Sequence, residues 1–117
     1  MPINTDLLIK IRDKIREHPE QHDQAHWARR TSCGTTYCIA GWAAVLSGAR
    51  LDWSDHWTDQ YEGGARADTV NSGAETIDDY AQRVLGLDNE QCALFDTDNG
   101  GALTRLDELI VEGGAAA

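Results

Sequence analysis

The chain has 117 residues, 41% of them apolar, and sets 20 acidic side chains against 10 basic ones for a formal net charge of −10. That length fits one domain with a single core and leaves no room for a second. Such a field repels nucleic acid and anionic lipid, whose binding needs Lys and Arg to replace counterions, and it attracts basic protein surfaces.

The imbalance is uneven: through residue 31 there are six basic and five acidic groups, and beyond it four basic and fifteen acidic. Leu7 to Ile11 is broken by Lys10, so neither a signal peptide nor a membrane span is expected, and the predicted location is the cytoplasm. Three cysteines cannot all pair with one another, and in a reducing compartment free thiols are the default.

In chain order, Asn4 or Thr5 is placed to cap a first helix that repeats Leu8, Ile11 and Ile15 on one face beside Leu7. His18-Pro19 ends it, because the residue before proline avoids the helical region. Glu20 to Arg29 reads as a short second helix turning Ala25 and Trp27 or Ala28 inward. Arg30 to Thr35 is a turn around Gly34, after which Thr35 or Thr36 caps a helix running through Tyr37 and Leu46 to Gly48. With no charge from Tyr37 to Ala49, that helix is predicted to be the buried centre. Ala40, Gly41, Ala43 and Ala44 are small enough to admit a neighbouring backbone.

Arg50 to Gly73 has no helical period and reads as a hairpin or irregular excursion. A further helix starts at Glu75 or Thr76 and passes Ile77, Tyr80, Ala81, Val84 and Leu85 before Gly86. Asn89 to Phe95 suggests a short turn of helix, and the last helix, about 102–111, buries Leu103, Leu106 and Ile110. The expectation is a mainly α, single-domain bundle over residues 1–112, built around a central helix at about 36–47 with a small insert at about 50–73. Residues 113–117 read as a flexible tail.

Several groupings could carry chemistry. Cys33 precedes the expected helix start, where a thiolate would be favoured, but no local pattern supplies a base from His18, His22, His26 or His56. A turn cysteine packed under the helix is the plainer reading. Cys33 and Cys38, with His26 or Cys92, could provide soft metal ligands at a spacing that matches zinc knuckles weakly, and a Cys33 to Cys38 disulfide would close a very short loop. These thiols therefore stay open between free, bridged and metal-bound. Asp96-Thr97-Asp98-Asn99-Gly100-Gly101 imitates the start of a calcium loop but puts Gly100 and Asp107 where oxygen-rich ligands are required, so a capped turn fits better. No cofactor is expected, and no catalytic residue is assigned.

Leu51 to Glu62 interleaves aromatic rings with carboxylates in a stretch without core periodicity. Aromatic groups dominate interface energy, and acidic neighbours select basic partners. The expected partner-binding residues are Trp53, Asp55, Trp57, Asp59, Tyr61 and Glu62, with the alternative that Trp53 and Trp57 fold back over the core as a lid.

The run Cys33-Gly34-Thr35-Thr36-Tyr37-Cys38-Ile39-Ala40-Gly41-Trp42-Ala43, with His18-Pro19-Glu20 and Trp27 before it and Leu85-Gly86-Leu87 and Leu94-Phe95 after it, resembles small uncharacterised proteins of actinobacteria and their phages. The likeness makes Cys33, Gly34, Thr35, Cys38, Gly41 and Trp42 a structural motif, and it implies provenance without a reaction. Joined to the charge, it leads to the expectation of a non-enzymatic, acidic binding protein that docks a basic surface of a bacterial protein, such as a host nucleic-acid enzyme. The alternative is a structural zinc or reactive-thiol protein using Cys33 and Cys38.

Overall fold

A computed structural model describes residues 3–24, 27–31, 34–54 and 65–113. Its first helix, α1 (Thr5–Glu17), begins where Asn4 Oδ1 accepts from the Leu7 N–H at 3.2 Å, and it buries Leu7, Leu8, Ile11 and Ile15. Asn4 also ties this start to the far side of the core, donating from its backbone N–H to the Leu85 carbonyl and from Nδ2 to the Val84 carbonyl. The chain turns at His18, and Pro19–Gln21 forms one 3-10 turn.

From there the architecture departs from the helical bundle expected of the sequence. The molecule is a mixed α/β structure, because strands β1 (Ala28–Thr31), β2 (Gly34–Tyr37), β3 (Leu51–Ser54), β4 (Ala65–Val70) and β5 (Glu75–Thr76) join in one antiparallel sheet. The helix expected at 20–29 is replaced by the 3-10 turn and β1, and the turn expected at 30–35 contains the β1 to β2 connection. The central helix, α2 (Ile39–Leu46), starts at Ile39 because Thr35 and Thr36 are spent on ladder pairing with Arg30 and Arg29. Short strands rich in Arg and Thr show no alternation to read, so their neighbours decide their conformation.

The sheet order is β2-β1-β4-β3. β3 runs along one edge of β4, and the other edge is shared: β1 pairs at Arg66 and Ala65, and β5 pairs at Thr69 and Val70. Between them, Ala67 and Asp68 have no strand partner on that side among the described residues. A bulge opposite the step from Leu51 to Trp53 lets Val70, rather than Thr69, continue the inward row of Ala65 and Ala67. Ala28, Ala67 and Val70 then join the core beneath the helices.

Asp52 fixes the β4 to β5 turn. Its carboxylate accepts from the Ser72 and Gly73 N–H groups at 3.0 and 2.8 Å and from Thr69 Oγ1 at 2.9 Å, holding Asn71 and Ser72 at φ values of 56 and 62°. Left-handed backbone is costly at a residue with a Cβ. The three hydrogen bonds offset that cost here.

Helix α3 (Ile77–Leu85) is capped by Thr76 and closed by Gly86 in the left-handed region, while a 3-10 segment (Gln91–Asp96) leads to α4 (Asn99–Glu112). The imitation calcium loop is a helix start: Asp98 Oδ1 accepts from the Gly101 N–H at 2.7 Å. Gly113 follows α4, its carbonyl accepting from Thr5 Oγ1 at 3.3 Å, and residues 114–117 of the expected tail lie outside the described residues.

Candidate functional site

The strand-to-helix junction comes first, because it places the aromatic residues of the site. Cys38 is the N-cap of α2: its Sγ accepts from the Gly41 N–H at 3.4 Å, and its own N–H and thiol both point to the Trp27 carbonyl, at 3.3 and 3.6 Å. Burial pushes this thiol up to about 12 despite the backbone donors around it, so at neutral pH it is an uncharged packing group. A Cβ on Gly41 would run into the Trp27 carbonyl oxygen, which explains why glycine stands there. Trp42 is buried with its ring tilted against Tyr37 at 4.7 Å, and its indole N–H has no partner among the described residues.

Gln24 completes the junction. Its Oε1 accepts from the Ile39 N–H at 3.1 Å and from His22 Nε2 at 3.0 Å, and its Nε2 donates to the Leu94 and Phe95 carbonyls at 3.0 and 3.2 Å. The Gln24 N–H donates in turn to Asn99 Oδ1 at 2.7 Å. One buried carboxamide therefore joins three segments distant in sequence: the residues after α1, the start of α2 and the end of the 3-10 segment. Sequence reasoning missed it, since no local pattern marks a glutamine that will be enclosed. It also accounts for His22, whose ring is engaged with Gln24 inside the protein.

On the outer side of this junction Trp27 meets Phe95 edge to face, with centroids 6.3 Å apart and planes at 83°. The pair is the shared wall of two depressions. A cleft of about 970 Å³ opens on one side, between Arg66 and Asp68 of β4 and the Asp96 to Gly100 segment that starts α4. A smaller one of about 110 Å³ lies on the other side, against Asp78, Gln82 and Cys92.

The surroundings are strongly negative. The Cys92 thiol is pushed up first by partial burial and then by Asp88, Asp78, Asp96 and Asp79, which together disfavour another negative charge. Asp68, Asp78, Asp96 and Asp98 make no ion pair among the described residues, whereas Arg83 is taken up by Glu75 at 2.6 Å and Arg105 by Glu108 and Glu112, both at 2.9 Å. The carboxylates thus gather around an apolar wall without local neutralisation.

The expected partner-binding residues fall differently. Trp53 is half-buried on β3, packs against the core and carries the Arg30 guanidinium 4.5 Å over its ring, so its face is already occupied. Asp55, Trp57, Asp59, Tyr61 and Glu62 lie outside the described residues. Of the motif residues, Gly34 has a φ of 128° at the head of β2, Thr35 pairs with Arg30, and Cys38, Gly41 and Trp42 form the junction; Cys33 also lies outside the described residues. In the sequence Trp27 and Phe95 stand as flanks of that motif, Trp27 also as a candidate inward residue of the helix expected at 20–29 and Phe95 as the end of the turn at 89–95, with nothing that pairs them.

Among the described residues no group of three or more His, Cys, Asp or Glu side chains is placed to hold a metal ion, and no helix is long and apolar enough to cross a membrane. No protein-family model, curated protein or solved structure matches the chain.

Proposed function

We propose that the protein is a small acidic binding protein that docks a basic surface of another protein over the Trp27–Phe95 wall. The observation that carries this reading is the set of unneutralised carboxylates, Asp68, Asp78, Asp96 and Asp98, around two aromatic rings and an open cleft. Apolar rings supply contact energy, while the surrounding negative charge speeds encounter with a cationic patch and rejects anionic ones. A bacterial nucleic-acid enzyme has such a patch, on which carboxylates would stand in for phosphates.

Binding of a lysine-rich peptide, followed by calorimetry, tests the proposal. Asp68→Lys and Asp96→Lys together should weaken binding by about tenfold or more at low salt, and the wild-type affinity should itself drop steeply as salt is raised. Asp13→Lys with Glu17→Lys, on the outer face of α1, should change it far less. Equal losses from both pairs would reduce the effect to net charge and remove the cleft from the argument.

A further inference from the structure

Arg66 is the exception in this charge distribution. It lies on β4 beside four aspartates that line the same cleft, yet it has no ion pair, ring contact or side-chain hydrogen bond among the described residues, and its Nε is enclosed without a partner. Its cross-strand neighbour is Arg29, so two like charges stand directly opposite on one face of the sheet. A guanidinium held partly out of water without an acceptor carries a desolvation cost. Asp68, two residues along the same strand, and Asp96 and Asp98, across the cleft, line the same depression without pairing with Arg66 among the described residues.

A ligand that satisfies all of these groups needs one anionic group for Arg66 and cationic groups for the carboxylates, within the reach of a cleft of about 970 Å³. A doubly charged phosphate fits poorly, because its second charge would face the aspartates. A carboxylate carries one charge and matches the planar fork of a guanidinium through two parallel hydrogen bonds. Resting on the docking reading above, we propose that the occupant is the carboxy-terminal tail of a basic protein: its terminal carboxylate pairs with Arg66, its last side chains lie along Trp27 and Phe95, and its Lys or Arg residues meet Asp68, Asp96 and Asp98. A chain end brings the single negative charge and several positive ones within a few residues, and it enters a cleft without threading.

The test uses two short Lys/Leu peptides of identical sequence, one ending in a free carboxylate and one in an amide, titrated against the intact protein. The free acid should bind about tenfold more tightly although its net positive charge is lower by one, and in Arg66→Gln the two peptides should bind alike. Equal binding of both peptides to the wild-type protein overturns the proposal and leaves the docking reading standing, as does an acid preference that survives in Arg66→Gln. Tighter binding of the amide does the same, because it shows the site responding to net charge alone. Failure of both peptides to bind removes the docking reading and this inference with it. Arg66→Lys, which keeps the charge but loses the planar fork, should also narrow the acid preference, and it carries the test if Arg66→Gln folds poorly.

Discussion

Two neighbouring regions of this molecule treat polar groups in opposite ways. Around Cys38 and Gln24 nearly every donor and acceptor is matched inside the protein, down to a thiol used as a helix cap. Around Trp27 and Phe95, among the described residues, the carboxylates of Asp68, Asp78, Asp96 and Asp98 lack ion pairs and Arg66 Nε lacks an acceptor. The regions meet in Trp27 and Phe95, whose carbonyls belong to the first and whose rings belong to the second. The contrast separates what holds the fold from what is left over for a partner.

The sharpest way to break the matched region is Gly41→Ala. A methyl there collides with the Trp27 backbone, so either the strand or the helix must move, at a cost of about 3 kcal/mol. A large drop in melting temperature is expected, and an unchanged one would mean the junction yields easily. Gln24→Leu comes next. It strips partners from the Ile39 N–H and His22 Nε2 and from the Leu94 and Phe95 carbonyls, for a loss of about 2 kcal/mol in denaturant unfolding. Asp68→Lys and Asp96→Lys, by contrast, should leave stability within about 0.5 kcal/mol while weakening docking. That split between stability and binding is the comparison in measurable form.

The smallest effect is expected at Asp52, away from both regions. Its hydrogen bonds from Gly73, Thr69 and Ser72 hold the carboxyl below its ordinary value in the folded protein, while the unfolded chain returns it to about 3.9. The contribution is therefore complete above that ordinary value and is lost as pH drops through the lowered folded one. The difference in melting temperature between wild type and Asp52→Asn should be constant from pH 7 down to about 5 and shrink in stronger acid. A gap that persists unchanged at pH 2 would contradict this account.

The helices that could be read from the sequence were those whose information is local. α1 and α3 show both a 3.6-residue apolar repeat and their own caps in Asn4, Thr76 and Gly86; α4 is expected from about 102, and its Asp98 cap moves the start to Asn99. The stretch 50–73 reads as a hairpin or irregular insert, whereas its β3 and β4 are integral to the five-stranded sheet. β1 and β2 were not legible, because Ala-Arg-Arg-Thr and Gly-Thr-Thr-Tyr owe their extended form to each other and to β4. Leu103 was expected inside with Leu106 and Ile110; it is only partly buried, and Ala102 and Leu109 are the enclosed neighbours. Of the site, the acidic excess was visible in composition. The meeting of Trp27 with Phe95 was not, since the two rings come from an extended segment and a 3-10 segment far apart in the chain.

The hydrogen bond from the Gln24 backbone to Asn99 has a consequence for biosynthesis. The segment that seats α2 cannot acquire its last partner until the residues opening α4 have left the ribosome, and Asn4 likewise waits for the end of α3. Nascent chains halted before residue 99 should consequently remain protease-sensitive around Gln24, with protection arriving late and all at once.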